Sequence, residues 1–263
     1  MPATINIGLG DNTPGFSSGN PAAGLDVAFK DYVLVKMGDP PPPEFSSGVS
    51  AANRQAYLLG RKATWIIASY SITSQRNQDG IDFAGPYMQS EQGLLVRADE
   101  NRFQDKESVA GRSICTVGST TGGTVDIPKA NLSTSKASTQ ECVDLLTQKR
   151  TDAVFTDILI LYGFMQAEPG KFKVVLPGAF GTMQYYGIGM LGGHIKECQR
   201  LNKIIEEYLR VQWRIDFMAY LPTAVEQTPS TAADGDFESR FKPPVTMMTP
   251  LSCRVRAEPP RSN

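Results

Sequence analysis

The chain has 263 residues, 41% hydrophobic and 20% charged, with 26 basic side chains against 27 acidic ones and a net charge of −1. This length accommodates one large domain or two lobes with a sizeable core. A near-neutral chain with no basic face gives no electrostatic reason for a nucleic-acid partner or an anionic membrane surface, and no apolar run approaches the roughly 20 residues that span a bilayer.

Met1–Ile7 carries neither a basic n-region nor an apolar h-region. The expectation is a cytosolic protein, or an exported one whose leader has been removed. Thr4–Leu9 reads as a first strand with Ile5, Ile7 and Leu9 on one face. A Gly/Pro/Ser/Asn-rich loop follows and contains Phe16. Leu25–Met37 has apolar residues at helical spacing, and Pro40–Pro43 stops any helix and marks an irregular connection. Ala51–Leu59 predicts a short helix ending at Gly60. Thr64–Ser69, with the apolar run Trp65, Ile66 and Ile67, predicts a buried strand.

Gly93–Val96 and Ser113–Val117 predict two more strands. Thr139–Lys149 predicts a helix with Val143, Leu145 and Leu146 inward. Ala153–Phe155 predicts a strand, and a helix runs from Thr156 and Asp157 to Met165. Strands at Lys173–Leu176 and Tyr186–Met190 precede a helix from about His194 to Tyr208. Strands alternating with helices predict an α/β architecture. Beyond Thr223 the composition shifts to Pro, Ser, Thr, Asp and Arg without periodicity. Residues 226–263 are therefore expected to form a disordered tail, of which Val245–Leu251 alone docks.

Four cysteines, Cys115, Cys142, Cys198 and Cys253, show no CxxC spacing, and His194 is the single histidine. A metal site of Cys and His is not expected. Disulfides and buried free thiols both remain open at this point.

Three polar clusters each follow a strand: Ser69, Ser71, Thr73 and Arg76; Gly118, Ser119 and Thr120; Thr156 and Asp157. Ligands in open α/β sheets bind outside the carboxyl ends of strands. A guanidinium holds a carboxylate with two parallel hydrogen bonds, a helix start at Thr121 would favour an anion, and Asp157 suits an ammonium. The set complements a zwitterion. Each member has a plainer alternative: Arg76 as a surface arginine, residues 118–123 as a turn, Asp157 as a helix N-cap, Phe16 and Tyr87 as packing. No GxSxG motif and no Ser/His/Asp spacing supports nucleophilic catalysis, so no catalytic residue and no cofactor is expected.

Eight phrases occur in one order: Gly24–Val27, Asn53–Arg54 with Leu59–Gly60, Ala68–Arg76, Asp82–Tyr87, Leu94–Val96, Cys115–Thr120, Asp152–Asp157 and Tyr186–Gly189. In them the chain resembles the extracellular solute-binding proteins of the polar amino acid type that feed ABC importers, above all the glutamate-binding lipoproteins of actinobacteria. The resemblance covers about residues 4–221. It departs from the family at Gly60–Thr64, where an aspartate usual before the central strand is missing, and at Pro40–Pro43.

The resemblance implies a two-lobed periplasmic-binding-protein-like fold of type II with the ligand in the cleft. Lobe 1 would comprise residues 1–95 and 186–222, and lobe 2 residues 96–185, with a hinge near Val96 and Tyr186. It implies that Ser69 meets the ligand's ammonium and Ser71 its α-carboxylate. Arg76 would hold that carboxylate, with Gly118, Ser119 and Thr120 donating from lobe 2. Asp157 would take the ammonium, and Phe16 would cover the side chain. Arg54, Arg97 and Lys173 are the cations considered for a distal carboxylate. The resemblance further implies a Cys115–Cys142 disulfide and gives no pairing for Cys198 or Cys253.

The implied function is non-enzymatic. A monomer captures glutamate or a relative outside the cell, at the cell surface or in the periplasm, and presents it to an ABC permease, with any lipid anchor in a leader absent from this chain. The alternatives are a sensor domain signalling to a membrane kinase, or a dehydratase on the same scaffold, for which no acid is evident.

Overall fold

The computed structural model describes residues 5–38, 43–228 and 236–254. The chain builds two five-stranded sheets of matching design. The first takes β1 (Ile5–Gly10), β2 (Pro43–Val49), β3 (Trp65–Ile67), β4 (Ile81–Ser90) and, much later, β10 (Gln184–Leu191) in the order β2-β1-β3-β10-β4. The second takes β5 (Gln92–Arg97), β6 (Ser113–Val117), β7 (Asn131–Lys136), β8 (Ala153–Asp157) and β9 (Phe172–Val175) in the order β7-β6-β8-β5-β9. In each sheet three neighbouring strands run parallel and two pair antiparallel. The outcome is a two-lobed α/β fold in which the strand carboxyl ends of both sheets face one cleft.

The helices cover the sheets: α1 (Leu25–Lys36), α2 (Arg54–Leu59), α3 (Ser74–Gln78), α4 (Thr139–Thr147), α5 (Ile158–Ala167), α6 (Ile195–Val211), α7 (Trp213–Tyr220), α8 (Pro222–Glu226), α9 (Phe237–Phe241) and α10 (Met248–Leu251). Central strands are built on buried apolar runs, as at Trp65, Ile66 and Ile67, all at most 1% exposed. This is the pattern of strands covered on both faces.

The chain crosses between sheets at Glu91 and returns before Gln184. The expected divide at 95/96 therefore falls inside β5, whose residues Gln92–Arg97 pair wholly with the second sheet, and β10 joins the first sheet two residues before 186. The expected disordered tail is also corrected. Residues 236–254 fold into α9 and α10, with Phe237 and Phe241 buried and stacked against Phe217 at 5.3 and 5.6 Å. The rest of the expected tail includes residues 229–235 and 255–263, which lie outside the described residues.

Two disulfides are present. Cys115–Cys142 ties β6 to α4, and Cys198–Cys253 ties α6 to the chain just after α10. The second pairing had no support in the sequence. The lobes also meet away from the cleft floor: Gly163 of α5 presses against the loop after β1, where an added Cβ would lie 2.0 Å from the Pro14 carbonyl oxygen.

Candidate functional site

β3 ends at Ile67, and the next two residues form a turn that the sequence must stabilise explicitly. Ser69 sits in the left-handed region (φ 47°), a conformation that costs a residue with a Cβ roughly 1 kcal/mol or more. Asp26, in the first turn of α1, offsets that strain. It accepts from the Ser69 N–H at 2.9 Å and from its hydroxyl at 3.3 Å, while Tyr87 Oη donates to the other carboxylate oxygen at 2.7 Å. Burial pushes the Asp26 carboxyl up to about 6 against these hydrogen bonds. The turn leaves two carbonyls on one side, and Arg54 Nη1 donates to both, Ala68 O at 2.8 Å and Ser69 O at 2.9 Å.

Arg54, Ala68 and Ser69 form part of one wall of a narrow cavity of about 40 Å³ between the two sheets. Arg54, Ser69 and Ser71 line it from the first lobe, with Asp11 and Thr13 in the loop after β1. Thr120, Thr121, Ser138, Thr139, Thr156 and Asp157 line it from the second. Arg76 stands just behind Ser71. Thr73 caps α3 by accepting from the Arg76 N–H, and the Arg76 guanidinium donates to Ser71 O at 2.5 Å and lies 4.3 Å from the Tyr70 ring centroid. Arg54 lies 4.9 Å from the same centroid. Both guanidiniums are nearly buried, at 6% and 7% exposure. Burial, together with the Arg54 charge, pulls Arg76 down to about 10.

Across the cavity, Asp157 closes β8 and precedes α5. Tyr186 Oη of the first sheet donates to it at 2.7 Å, and Gln92 Nε2 at the start of β5 donates at 3.1 Å. Burial pushes its carboxyl up to about 6, opposed by these two donors and by the charges of Arg54 and Arg76. The arrangement thus sets Arg54 and Asp157 at the wall of a slot lined by hydroxyls, with the Arg76 guanidinium behind Ser71 and the buried Asp26 carboxylate behind Ser69.

The structure brings Ser69, Ser71, Thr120 and Asp157 to the cavity wall with Arg76 directly behind. Three expected site residues stand elsewhere. Phe16 is fully buried in the core, edge-on to Tyr186 at 6.2 Å, and does not line the cavity. Gly118 packs on β7, where a Cβ would meet the Thr134 carbonyl at 2.7 Å, and Ser119 faces solvent. The helix start considered at Thr121 is a single tight turn, Gly122–Thr124, too short to carry the dipole of a full helix. Thr120 spends its N–H and hydroxyl on Val117 O at 3.2 and 2.7 Å.

Of the cations considered for a distal carboxylate, Arg54 lines the cavity. Arg97 is spent on the Leu146 and Thr151 carbonyls and Lys173 on Asn101. Asp26, Ser138 and Thr139 were not singled out from sequence. The readable signal for Ser138 was its N-cap position, where it accepts from the Glu141 N–H at 3.3 Å.

Comparison with known proteins places this geometry. Residues 5–210 match the model of the bacterial extracellular solute-binding proteins, family 3. The glutamate-binding proteins GluB of Corynebacterium efficiens and Corynebacterium glutamicum are each 32% identical, over 216 and 217 residues, spanning 77% of this chain and 73% of theirs. Among solved structures, the fold matches a cysteine-binding protein from Campylobacter jejuni (TM-score 0.75, 22% identity, 90% of this chain and 94% of that one). It also matches an ancestral arginine-binding protein bound to glutamine (TM-score 0.73, 21% identity, 84% and 98%).

Proposed function

Because the chain belongs to the bacterial extracellular solute-binding proteins, family 3, we propose that it captures an acidic amino acid, glutamate or aspartate, in the cavity between its lobes and presents it to an ABC permease. The observation that carries this reading is the charge set around the cavity. Arg54 lines the cavity and Arg76 stands behind Ser71, while of the two buried carboxylates Asp157 lines the cavity and Asp26 is spent on Ser69 and Tyr87. An acidic amino acid carries two carboxylates and one ammonium. Buried charges are tolerated only when paired, so a ligand with two carboxylates gives each guanidinium an anionic partner beyond the carbonyls it already meets. Asp11, exposed at the cavity rim, is screened by solvent and weighs less.

In this reading Arg76 holds the α-carboxylate, Asp157 the ammonium and Arg54 the side-chain carboxylate. A ligand gripped from both lobes favours the closed state through contacts that the open state lacks. The GluB relatives, named for glutamate, agree with that ligand class.

Calorimetric titration with L-glutamate, L-aspartate, L-glutamine, L-asparagine and L-arginine tests the reading. Glutamate or aspartate should bind tightest, and Arg76→Ala should lose about 2–3 kcal/mol. Tightest binding of arginine would overturn it.

A further inference from the structure

The structured tail packs against both lobes and against the crossing between the sheets. α9 is seated by Phe237 and Phe241 against Trp213 and Phe217 of the first lobe, and Phe241 also lies 6.5 Å from Tyr162 of α5 in the second. Gln89 Nε2 of β4 donates to Ser239 O and Arg240 O. From this position Arg240 Nη2 pairs with Glu91 Oε2 at 2.6 Å, the two side chains only 13% and 26% exposed. Glu91 is the residue on which the chain crosses from one sheet to the other.

That crossing also caps the helix behind Asp157. Glu91 O accepts from the Ile158 N–H at 2.9 Å, and Ser90 Oγ accepts from the Leu159 N–H at 3.3 Å. Gln92 Nε2, the next residue along, donates to the Asp157 carboxylate itself at 3.1 Å. The first N–H groups of a helix have no partner within it and depend on such outside acceptors. Ser90, Glu91 and Gln92 thus hold Asp157 and the start of α5 together, and the charged end of Glu91 is held by the tail.

We propose that Arg240 is a positioning residue for ligand capture: by fixing Glu91, it sets the crossing segment Ser90–Gln92 and through it the Asp157 carboxylate. The proposal rests on the reading of Asp157 as the ammonium acceptor. Its chain of contacts is continuous, Arg240 to Glu91 to the α5 start to Asp157, and it assigns the C-terminal segment a part in binding.

The test uses the full chain and its Arg240→Gln, Glu91→Gln and charge-reversed Arg240→Glu/Glu91→Arg forms. Affinity for L-glutamate and L-aspartate is read by calorimetry, and amide exchange at Ile158 and Leu159 by NMR. The single variants should weaken binding by about 3- to 30-fold, the range for residues coupled through a contact network. They should also speed exchange at both amides, and the reversed pair should recover much of each loss. Unchanged affinity and unchanged exchange in a folded single variant would overturn the proposal, even if the melting temperature fell, because a purely structural tail moves only the latter. Should Arg240→Gln fail to fold, Glu91→Gln puts the same question without touching α9. Asp157→Asn separates the two readings. If it binds either ligand like the parent chain, the ammonium assignment is lost, and exchange at Ile158 and Leu159 still decides whether Arg240 governs the α5 start.

Discussion

Arg54 and Arg76 share one aromatic ring, their guanidinium carbons 4.9 and 4.3 Å from the Tyr70 centroid. The two come from different helices, α2 and α3, so the Tyr70 face gathers like charges that would otherwise repel. Under the proposed function, this pair of cations favours ligands with two carboxylates. We predict that Arg54→Gln lowers affinity for glutamate by roughly 10-fold or more while changing affinity for glutamine far less, since only the former loses a charge-assisted hydrogen bond. Paired titrations with the two amino acids check this.

Replacing Tyr70 by Leu keeps much of the packing but removes the ring. Both guanidiniums then lose a cation–π partner worth about 0.5–2 kcal/mol each. Glutamate affinity should fall more than thermal stability does, because the repulsion between the arginines is relieved in the folded chain by their moving apart. Calorimetry beside a thermal melt of Tyr70→Leu measures both.

Asp157 and Asp26, each pushed up to about 6 by burial from an ordinary value of 3.8, give stability and affinity opposite pH slopes. Between those values the folded chain holds protons that the unfolded chain has released. Through these two groups, stability therefore rises as pH falls from about 7 toward 4. An ammonium at Asp157 favours its ionised form, so affinity rises over about pH 5 to 7 and binding near pH 6 releases a proton. Melts across this range, with titrations in buffers of different ionisation enthalpy, detect the two trends.

Gly163→Ala tests the contact between lobes. Its Cβ would fall 2.0 Å from the Pro14 carbonyl oxygen, a backbone atom that yields only if the loop after β1 withdraws. The lobes should separate, with a measurable rise in the radius of gyration by small-angle scattering and a fall in glutamate affinity of about 1–3 kcal/mol, the usual cost of overpacking. An unchanged radius with unchanged affinity would count against the contact.

Most buried strands were legible because each is an apolar run bounded by polar turns, as at Trp65–Ile67 and Ala153–Phe155, but β4 was not, since Gly85 and Pro86 interrupt it and Asp82, Gln89 and Ser90 break its apolar run. Nor were β2 and β7. Both lie at a sheet rim, where a strand need not bury both faces. β2 opens on Pro43, and β7 reads Asn, Leu, Ser, Thr, Ser, Lys with mostly exposed side chains.

Within the site, Asp157 and Ser69–Arg76 showed themselves by following strands, whereas Asp26, in the first turn of α1, follows no strand and was not singled out. The position of Arg54 beside Ala68 and Ser69 depends on how α2 folds back over β3. Ser138 and Thr139 reach the cavity only because the lobes face each other. In the tail, Phe237 and Phe241 stand at helical spacing, a signal outweighed by the polar composition around them.

The two covalent bridges lie within single lobes. Cys115–Cys142 staples strand to helix in the second, and Cys198–Cys253 anchors the tail to the first. Each shortens the unfolded chain's freedom, by an amount worth about 3–4 kcal/mol for loops of such length, and neither links one jaw of the clamp to the other. Oxidation therefore hardens each lobe without tying it covalently to the other. Under the proposed function, lobes stiffened separately in this way resist unfolding while staying free to part at each cycle of capture and release.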